Sequence, residues 1–453
     1  SEARPGKQAI VTDAEVFEDQ TTLSVIYFDG ITGNGPISSK AVRISANGVS
    51  LIEHDLFSTL EKVGAVSVTL DQPSGQIRIN GFFGDGSSQG YFSVPLYSDG
   101  TLGTETLWSS TEFQYTTLEN TLSLPDGGVL ICGSARVSLP ATLPNRVVLV
   151  EVNGTGSVVR DTVYGNTNNT AICRKVVEWN GQRWFCVDGR FDVVPDPPRC
   201  GFYRINDDLG IEQHFAMPRL DTDPEPPFDS IPVSSNDLVP ISSSRFASAG
   251  RFGGTWSPAQ ARAVVVISDT TGALIHYWLP RSTYPQDFTP FLQALDHTTE
   301  GDLWFAMHEN AQLGPPSLFS VFEPNRLHVY KLDTSLNVLC EHIVDGFADN
   351  AYYYLNRIKA TDDGGFMLMG GRRNFDDPSG YFEAWARKFG PSDCTVGVEE
   401  RQTAAGATLF PNPGREGFTL LLNGEALQGT LLLHDALGRA CGSVPIRQGQ
   451  ARF

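Results

Sequence analysis

The sequence predicts an all-β chain: a seven-bladed β-propeller followed by a small C-terminal β-sandwich. Three observations predict it. A turn-then-strand motif recurs seven times along the chain. A second strand–turn–strand element follows each copy. Glycine and proline are abundant, at 45 and 28 of 453 residues, so the chain reverses direction often.

The best copies of the first motif are Leu124-Pro-Asp-Gly-Gly-Val-Leu-Ile-Cys-Gly133 and Ala360-Thr-Asp-Asp-Gly-Gly-Phe-Met-Leu-Met-Gly370. Looser copies end at Gly30, Gly81, Gly189, Gly250 and Met307. Each is a turn followed by an apolar or alternating strand. The marker glycines at 30, 81, 133, 189 and 250 are spaced by 51, 52, 56 and 61 residues. The second element is typified by Val147-Val-Leu-Val-Glu-Val-Asn-Gly154 and Phe92-Ser-Val-Pro-Leu-Tyr-Ser-Asp-Gly100. Asn-Gly and Asp-Gly suit hairpin turns because both accept positive φ.

Four strands per unit in seven units make a propeller, since a single blade cannot bury both its faces and the ring supplies its neighbours. The blades are expected at 9–58, 64–109, 115–163, 170–216, 234–280, 290–345 and 353–398, with almost no helix and with Cys186 on the second strand of the fourth. The repeats resemble kelch-like propellers only loosely. The propeller then spans 1–398, a polar, small-residue linker 399–407, and the C-terminal domain 408–453.

The turns within strand pairs are short on one face of such a ring. The loops on the other face run long: 134–145, 190–199, 251–260, 308–325 and 372–380. Long loops on a rigid scaffold are where binding usually resides. Arginines recur where these loops begin: Arg136, Arg190, Arg251, Arg372 and Arg373. Guanidinium forks suit carboxylate, sulfate or phosphate groups, and Trp256, with Phe82, Phe83, Phe191, Phe252 and Phe375, suits sugar faces. The competing reading is that these arginines tie neighbouring blade loops together through carbonyls or Asp192, Asp376 and Asp377.

Signals for metal and catalysis are poor. Asp221, Asp223, Glu225 and Asp229 form an acidic loop open to calcium, but without the spacing of an EF-hand; an acidic loop is more often simply solvated. The expectation is no cofactor. No His-x-x-x-His, Gly-x-Ser-x-Gly or Cys-x-x-Cys occurs. His308-Glu309 is the one His–carboxylate pair on a candidate loop.

The chain carries a formal charge of −19 and only seven of its 33 basic residues are Lys. That argues against a nucleic-acid partner, which needs clustered cations. No apolar run is long enough for a membrane helix. Residues 1–10 are polar, like the start of a processed product. Seven Cys over this length are too sparse for a disulfide scaffold; Cys173, Cys186 and Cys200 are close enough to read either as bridges or as buried thiols.

The end of the chain is the most specific part. It carries Phe410-Pro411-Asn412-Pro413, then the strand Gly417-Phe-Thr-Leu-Leu-Leu422, then Asp435-x-x-Gly438-Arg439. In this order, over roughly the last sixty residues, these motifs resemble the type A C-terminal sorting domain of cargo for the type IX secretion system. The resemblance implies export across a bacterial outer membrane and a fate at the cell surface or in the medium. It also implies that the outer-membrane translocon and its barrel-shaped shuttle are partners. That family continues to a last Gly-x-Tyr strand that this sequence does not reach. The bland reading of the tail is an ordinary small β-domain.

Together these features predict an exported propeller that binds a glycan or protein through its long-loop face. The rivals are a polysaccharide lyase or glycoside hydrolase on the same scaffold, and a structural or adhesive surface component.

Overall fold

The computed structural model describes residues 7–394 apart from short stretches, the longest being 30–36, 138–144, 190–199, 217–231, 253–261, 281–288 and 310–320. It also describes five strands between 407 and 452. The chain divides into two units, 1–396 and 397–453.

The first unit is a β-propeller. Its described residues contain no α-helix and a single 3-10 turn, Pro391–Asp393. Successive strands pair antiparallel as meanders. Five sheets of three to five strands stand apart, rather than the seven four-stranded blades expected. They begin at Tyr115, Ala171, Pro232, Leu295 and Ala351. The remaining strands form one eight-stranded sheet, in which the meander Lys7–Leu56 is joined to the meander Lys62–Ser110. The junction is a single parallel pair, Ile37 with Lys62. The sheet that begins at Ala351 has only three strands.

The ring follows from contacts between first strands. Lys7–Val16 touches Lys62–Asp71, which touches Tyr115–Ser123, which touches Ala171–Trp179. Contact then passes through Val239–Pro240 and Leu295–His297 to Ala351–Ala360, and from there back to Lys7–Val16. No strand is shared at this closure. The strands Lys7–Val16 and Ala351–Ala360 belong to different sheets. Side chains join them instead: Asn356 donates to the carbonyl of Val11 at 3.3 Å, and Lys359 donates to that of Ala14 at 3.0 Å. Gln8 Oε1 accepts from Phe382 N at 2.6 Å, and Ala9 N donates to the carbonyl of Phe382 at 2.8 Å.

Apolar layers between adjacent sheets hold the ring together. The strand Arg146–Val152 shows why its sequence is continuously apolar. Val147 and Leu149 pack against Cys173, Phe185 and Tyr203 of the following sheet. Val148 and Val150 face the other way, onto Tyr91 and Val66. A strand buried on both faces has no side left for polar residues. One disulfide, Cys132–Cys173, crosses between sheets; the other, Cys340–Cys394, ties the strand Val338–Asp345 to the segment just after the 3-10 turn. Cys186 lies on the second strand of the sheet that begins at Ala171 and is a buried free thiol. The side chain of Cys200 is outside the described residues.

The marker glycines have a steric cause. In five first strands the register slips by one residue, at Val11/Asp13, Ala65/Ser67, Leu118/Asn120, Cys173/Lys175 and Leu355/Arg357. Such a bulge pushes one carbonyl toward the partner strand. A Cβ on Gly81, Gly133 or Gly370 would lie 2.2, 2.5 or 1.8 Å from the carbonyl oxygen of Gly64, Thr117 or Tyr354. Only glycine leaves room there.

On the outer strands His328 sits between two carboxylates, 3.1 Å from Glu309 Oε2 and 2.7 Å from Glu341 Oε1. Arg326 and Asp345 complete the cluster. Burial pushes the imidazole pKa down, but the hydrogen bonds and charges of the two glutamates outweigh it and hold it at about 9. A pKa raised on folding adds stability that is full below the unfolded value near 6.5 and is lost as pH rises through about 9. Thermal melts from neutral pH to pH 10 should therefore show a fall that is clearly smaller in His328→Gln, by about 2 kcal/mol of pH-dependent stability. An identical fall in the variant would remove His328 as its source.

The second unit has five described strands in two sheets. Ala407–Phe410, Thr419–Leu422 and Gln450–Arg452 form one; Gly429–His434 and Ala440–Ile446 form the other. Pro411, Asn412, Pro413, Asp435, Gly438 and Arg439 lie outside the described residues. Phe410 ends the first strand.

Candidate functional site

The first strands line the axis of the ring. Their bulges turn a polar residue inward from an otherwise apolar run: Asp13, Ser67, Asn120, Lys175 and Arg357. These residues stitch each first strand to the next. Asp13 Oδ2 accepts from Val68 N at 2.8 Å, and Ser67 Oγ meets Thr121 Oγ1 at 2.6 Å. Asn120 Oδ1 accepts from Val176 N at 3.2 Å, and Lys175 Nζ lies 2.9 Å from Asp237 Oδ1. Asp237 Oδ2 accepts from Ala294 N and Leu295 N at 2.9 and 2.8 Å, and Asp296 Oδ2 accepts from Ala360 N at 2.8 Å. Arg357 closes the circuit, donating from Nε to the carbonyl of Thr12 at 3.2 Å and from Nη1 to Gln293 Oε1 at 3.0 Å.

A cavity of about 370 Å³ lies along this axis. Its charged lining is Asp13, Glu15, Lys175, Arg357 and Lys359; its hydroxyls come from Ser67, Thr69, Thr121 and Ser123. Glu15 pairs with Lys359. Burial raises the Glu15 carboxyl above the usual range, opposed by Lys359. Arg357 Nε also lies 3.5 Å from Asp13 Oδ1. Because the first strands enter from the long-loop end, Glu15, Ser123 and Lys359 place this cavity toward the short-turn end.

One step toward the long loops, a second charged group occupies the bulge positions themselves. Arg174 bridges Glu119 at 3.3 Å and Asp188 at 3.2 Å. Burial pushes the Glu119 carboxyl up, against the pull of Arg174. Burial likewise raises the phenols of Tyr91 and Tyr354.

The arginines at the long-loop end are engaged. Arg136 donates from Nε to Asn145 Oδ1 and lies over the ring of Tyr115 at 5.5 Å. Arg372 lies 6.0 Å over the ring of Tyr353. Arg373 donates to the carbonyl of Val321 at 2.7 Å and covers Phe375 at 5.1 Å; desolvation lowers its pKa. The side chain of Arg251, and Arg190 and Trp256 entirely, are outside the described residues, as are Asp221, Asp223, Glu225 and Asp229. Phe83, expected to be exposed, is buried between the two meanders of the eight-stranded sheet, and Phe82 and Phe375 are half-buried. Ties within and between sheets are also made by arginines the sequence did not single out. Arg43 reaches the carbonyl of Ser98 at 3.0 Å, and Arg78 reaches those of Gly127 and Gly154 at 3.0 and 2.9 Å.

His308 and Glu309 do not act together. His308 is buried, and its Nε2 accepts from Leu355 N at 2.8 Å. Glu309 faces His328 instead.

Sequence reasoning missed the axial residues. The signal was a polar interruption of each apolar run, usually two adjacent residues, as Thr12-Asp13, Arg174-Lys175 and Asn356-Arg357.

No family model matches the chain, and no curated protein matches it. Solved structures do resemble it. The β-propeller domain of the Trilobed protease from Pyrococcus furiosus is 9% identical with a TM-score of 0.43, over 84% of this chain and 95% of that one. A protein of unknown function from Bacteroides caccae is 11% identical with a TM-score of 0.39, over 74% and 94%. A member of the duf4221 family from Bacteroides vulgatus is 9% identical with a TM-score of 0.37, over 71% and 93%. At these values the similarities carry no argument about what this chain does.

Proposed function

We propose that this chain is a propeller binding module exported through the type IX secretion route and working at the cell surface or in the medium. The observation that carries the reading is the ordered set Phe410-Pro411-Asn412-Pro413, Gly417-Phe-Thr-Leu420 and Asp435-x-x-Gly438-Arg439 at the end of the sequence. The two disulfides support it, since such bridges persist in oxidising compartments. In this reading the two small sheets of residues 407–452 form the sorting sandwich, read by the outer-membrane translocon and its shuttle barrel. The long-loop face meets an extracellular glycan or protein.

Deleting residues 408–453 should leave a folded propeller held inside the outer membrane. Appending 397–453, with any residues that follow in the gene, to a neutral cargo should carry it out. Cell fractionation with surface proteolysis reads both. Normal surface delivery of the deleted protein would refute the assignment.

A further inference from the structure

The hydrogen-bonding groups around the axial cavity do not balance. Its Asp13 and amide acceptors are engaged in stitching the first strands together. Asp13 takes Ala14 N on Oδ1 at 2.9 Å and Val68 N on Oδ2 at 2.8 Å. Asn120 Oδ1 takes Val176 N, and Gln293 Oε1 takes Arg357 Nη1. Asp237, just behind the lining, takes Leu238 N and Lys175 on Oδ1, and Ala294 N and Leu295 N on Oδ2.

Donors are left over. Arg357 is 3% exposed, lines the cavity, and its Nη2 has no hydrogen-bond partner among the described residues. A buried guanidinium edge without an acceptor is costly, because it has lost its water. Lys175 carries three N–H groups and meets one carboxylate, Asp237. Lys359 carries three and meets Glu15 and one carbonyl. Three cations on two first strands therefore line one cavity with hydrogens to spare.

A ligand that completes this set must bring acceptors, and an anionic one makes the strongest bonds to these donors, in competition with Asp13, Asp237 and Glu15, which pair with the same three cations. We propose that the axial cavity binds a small oxyanion, a carboxylate or a phosphate, held by Lys175 and Lys359, with the Arg357 side chain shifting to turn its unused Nη2 toward it. Guanidinium recognises both groups through paired N–H donors. The volume of about 370 Å³ falls in the range of small-molecule pockets, so the ligand has a body beyond its charged group. The hydroxyls of Ser67, Thr69, Thr121 and Ser123 suit a hydroxylated body such as that of a sugar acid. The inference rests on the chain being a binding module but not on its export. Titration of purified protein and fractionation of cells therefore fail separately.

The test is calorimetric titration of the full chain with glucuronate, citrate, inorganic phosphate and sulfate, with glucose and glycerol as neutral comparators. At least one oxyanion should bind, more weakly as salt rises, and the neutral compounds should not. Arg357→Lys keeps the charge but loses the fork and should weaken binding roughly tenfold. Lys359→Met, whose side chain is 27% exposed at the cavity rim, should weaken it several-fold and decides the matter should Arg357→Lys not fold. Whether the carboxylates or the phosphate bind identifies the ligand class. The proposal is overturned if no oxyanion binds tighter than about 1 mM. It is also overturned if neutral sugars bind equally well, or if the folded variants bind like the parent.

Discussion

Replacing Asp237 by Ala is expected to destabilise the propeller by about 3–5 kcal/mol, the cost of breaking a buried ion pair on one side. Asp237 is fully buried. It accepts from the backbone N–H groups of Leu238, Ala294 and Leu295 and holds Lys175 at 2.9 Å. Truncation orphans those buried donors and leaves the Lys175 ammonium without its carboxylate. It also cuts the circuit of axial ties between two neighbouring first strands. Asp237→Asn keeps an acceptor and should cost clearly less. Urea denaturation measures both. A loss under about 1 kcal/mol for Asp237→Ala, the range of exposed pairs, would mean that water reaches this position and the tie is not structural.

Gly370→Ala should be comparably severe for a different reason. The added Cβ would lie 1.8 Å from the carbonyl oxygen of Tyr354 and 2.9 Å from its carbonyl carbon, both backbone atoms. No rotamer relieves that clash; the bulge in Ala351–Ala360 has to move. Because the bulge also aims Arg357 at the axis, the strain reaches the cavity. The expected loss is about 3–5 kcal/mol, above the usual cost of one extra methyl in a core. Gly371→Ala is the internal control. Its Cβ would meet chiefly the Phe382 ring, at 3.1 Å, so a side chain can yield. Its cost should be about 1 kcal/mol. Equal melting temperatures for the two variants would show that the bulge is soft.

Much of this architecture was legible. The run Val147-Val-Leu-Val150 announces a strand buried on both faces, and the marker glycines announce a repeated steric demand. The sheet grouping was not legible. It turns on the one bridge between Ile37 and Lys62, which no pattern marks. The turns were read partly through the wrong residue. Leu209 and Leu336 carry the positive φ, at 61° and 63°, that glycine carries in other hairpins. The axial site was the least legible part. Lys175, Asp237 and Arg357 are isolated charges more than sixty residues apart, and they become neighbours only when the ring closes. The long-loop arginines drew the eye because they recur, yet Arg136 and Arg373 spend their donors on Asn145 and on the carbonyl of Val321.

The closure of the ring also has a clock. The N-terminal strand completes its contacts with Phe382, 374 residues after Gln8. At about 5–20 residues per second, the ribosome takes roughly 20–75 s to deliver the second half of that seam after the first. During this interval the strand Lys7–Val16 can pair with Gln20–Asp29 but lacks the neighbour that covers its other flank. Contacts so distant in sequence form last and slowly. Neither described disulfide bridges the seam: one lies between Cys132 and Cys173, the other between Cys340 and Cys394. In the finished ring, opening should therefore start here, and amide hydrogens near Ala9 and Phe382 should exchange ahead of those near Leu149.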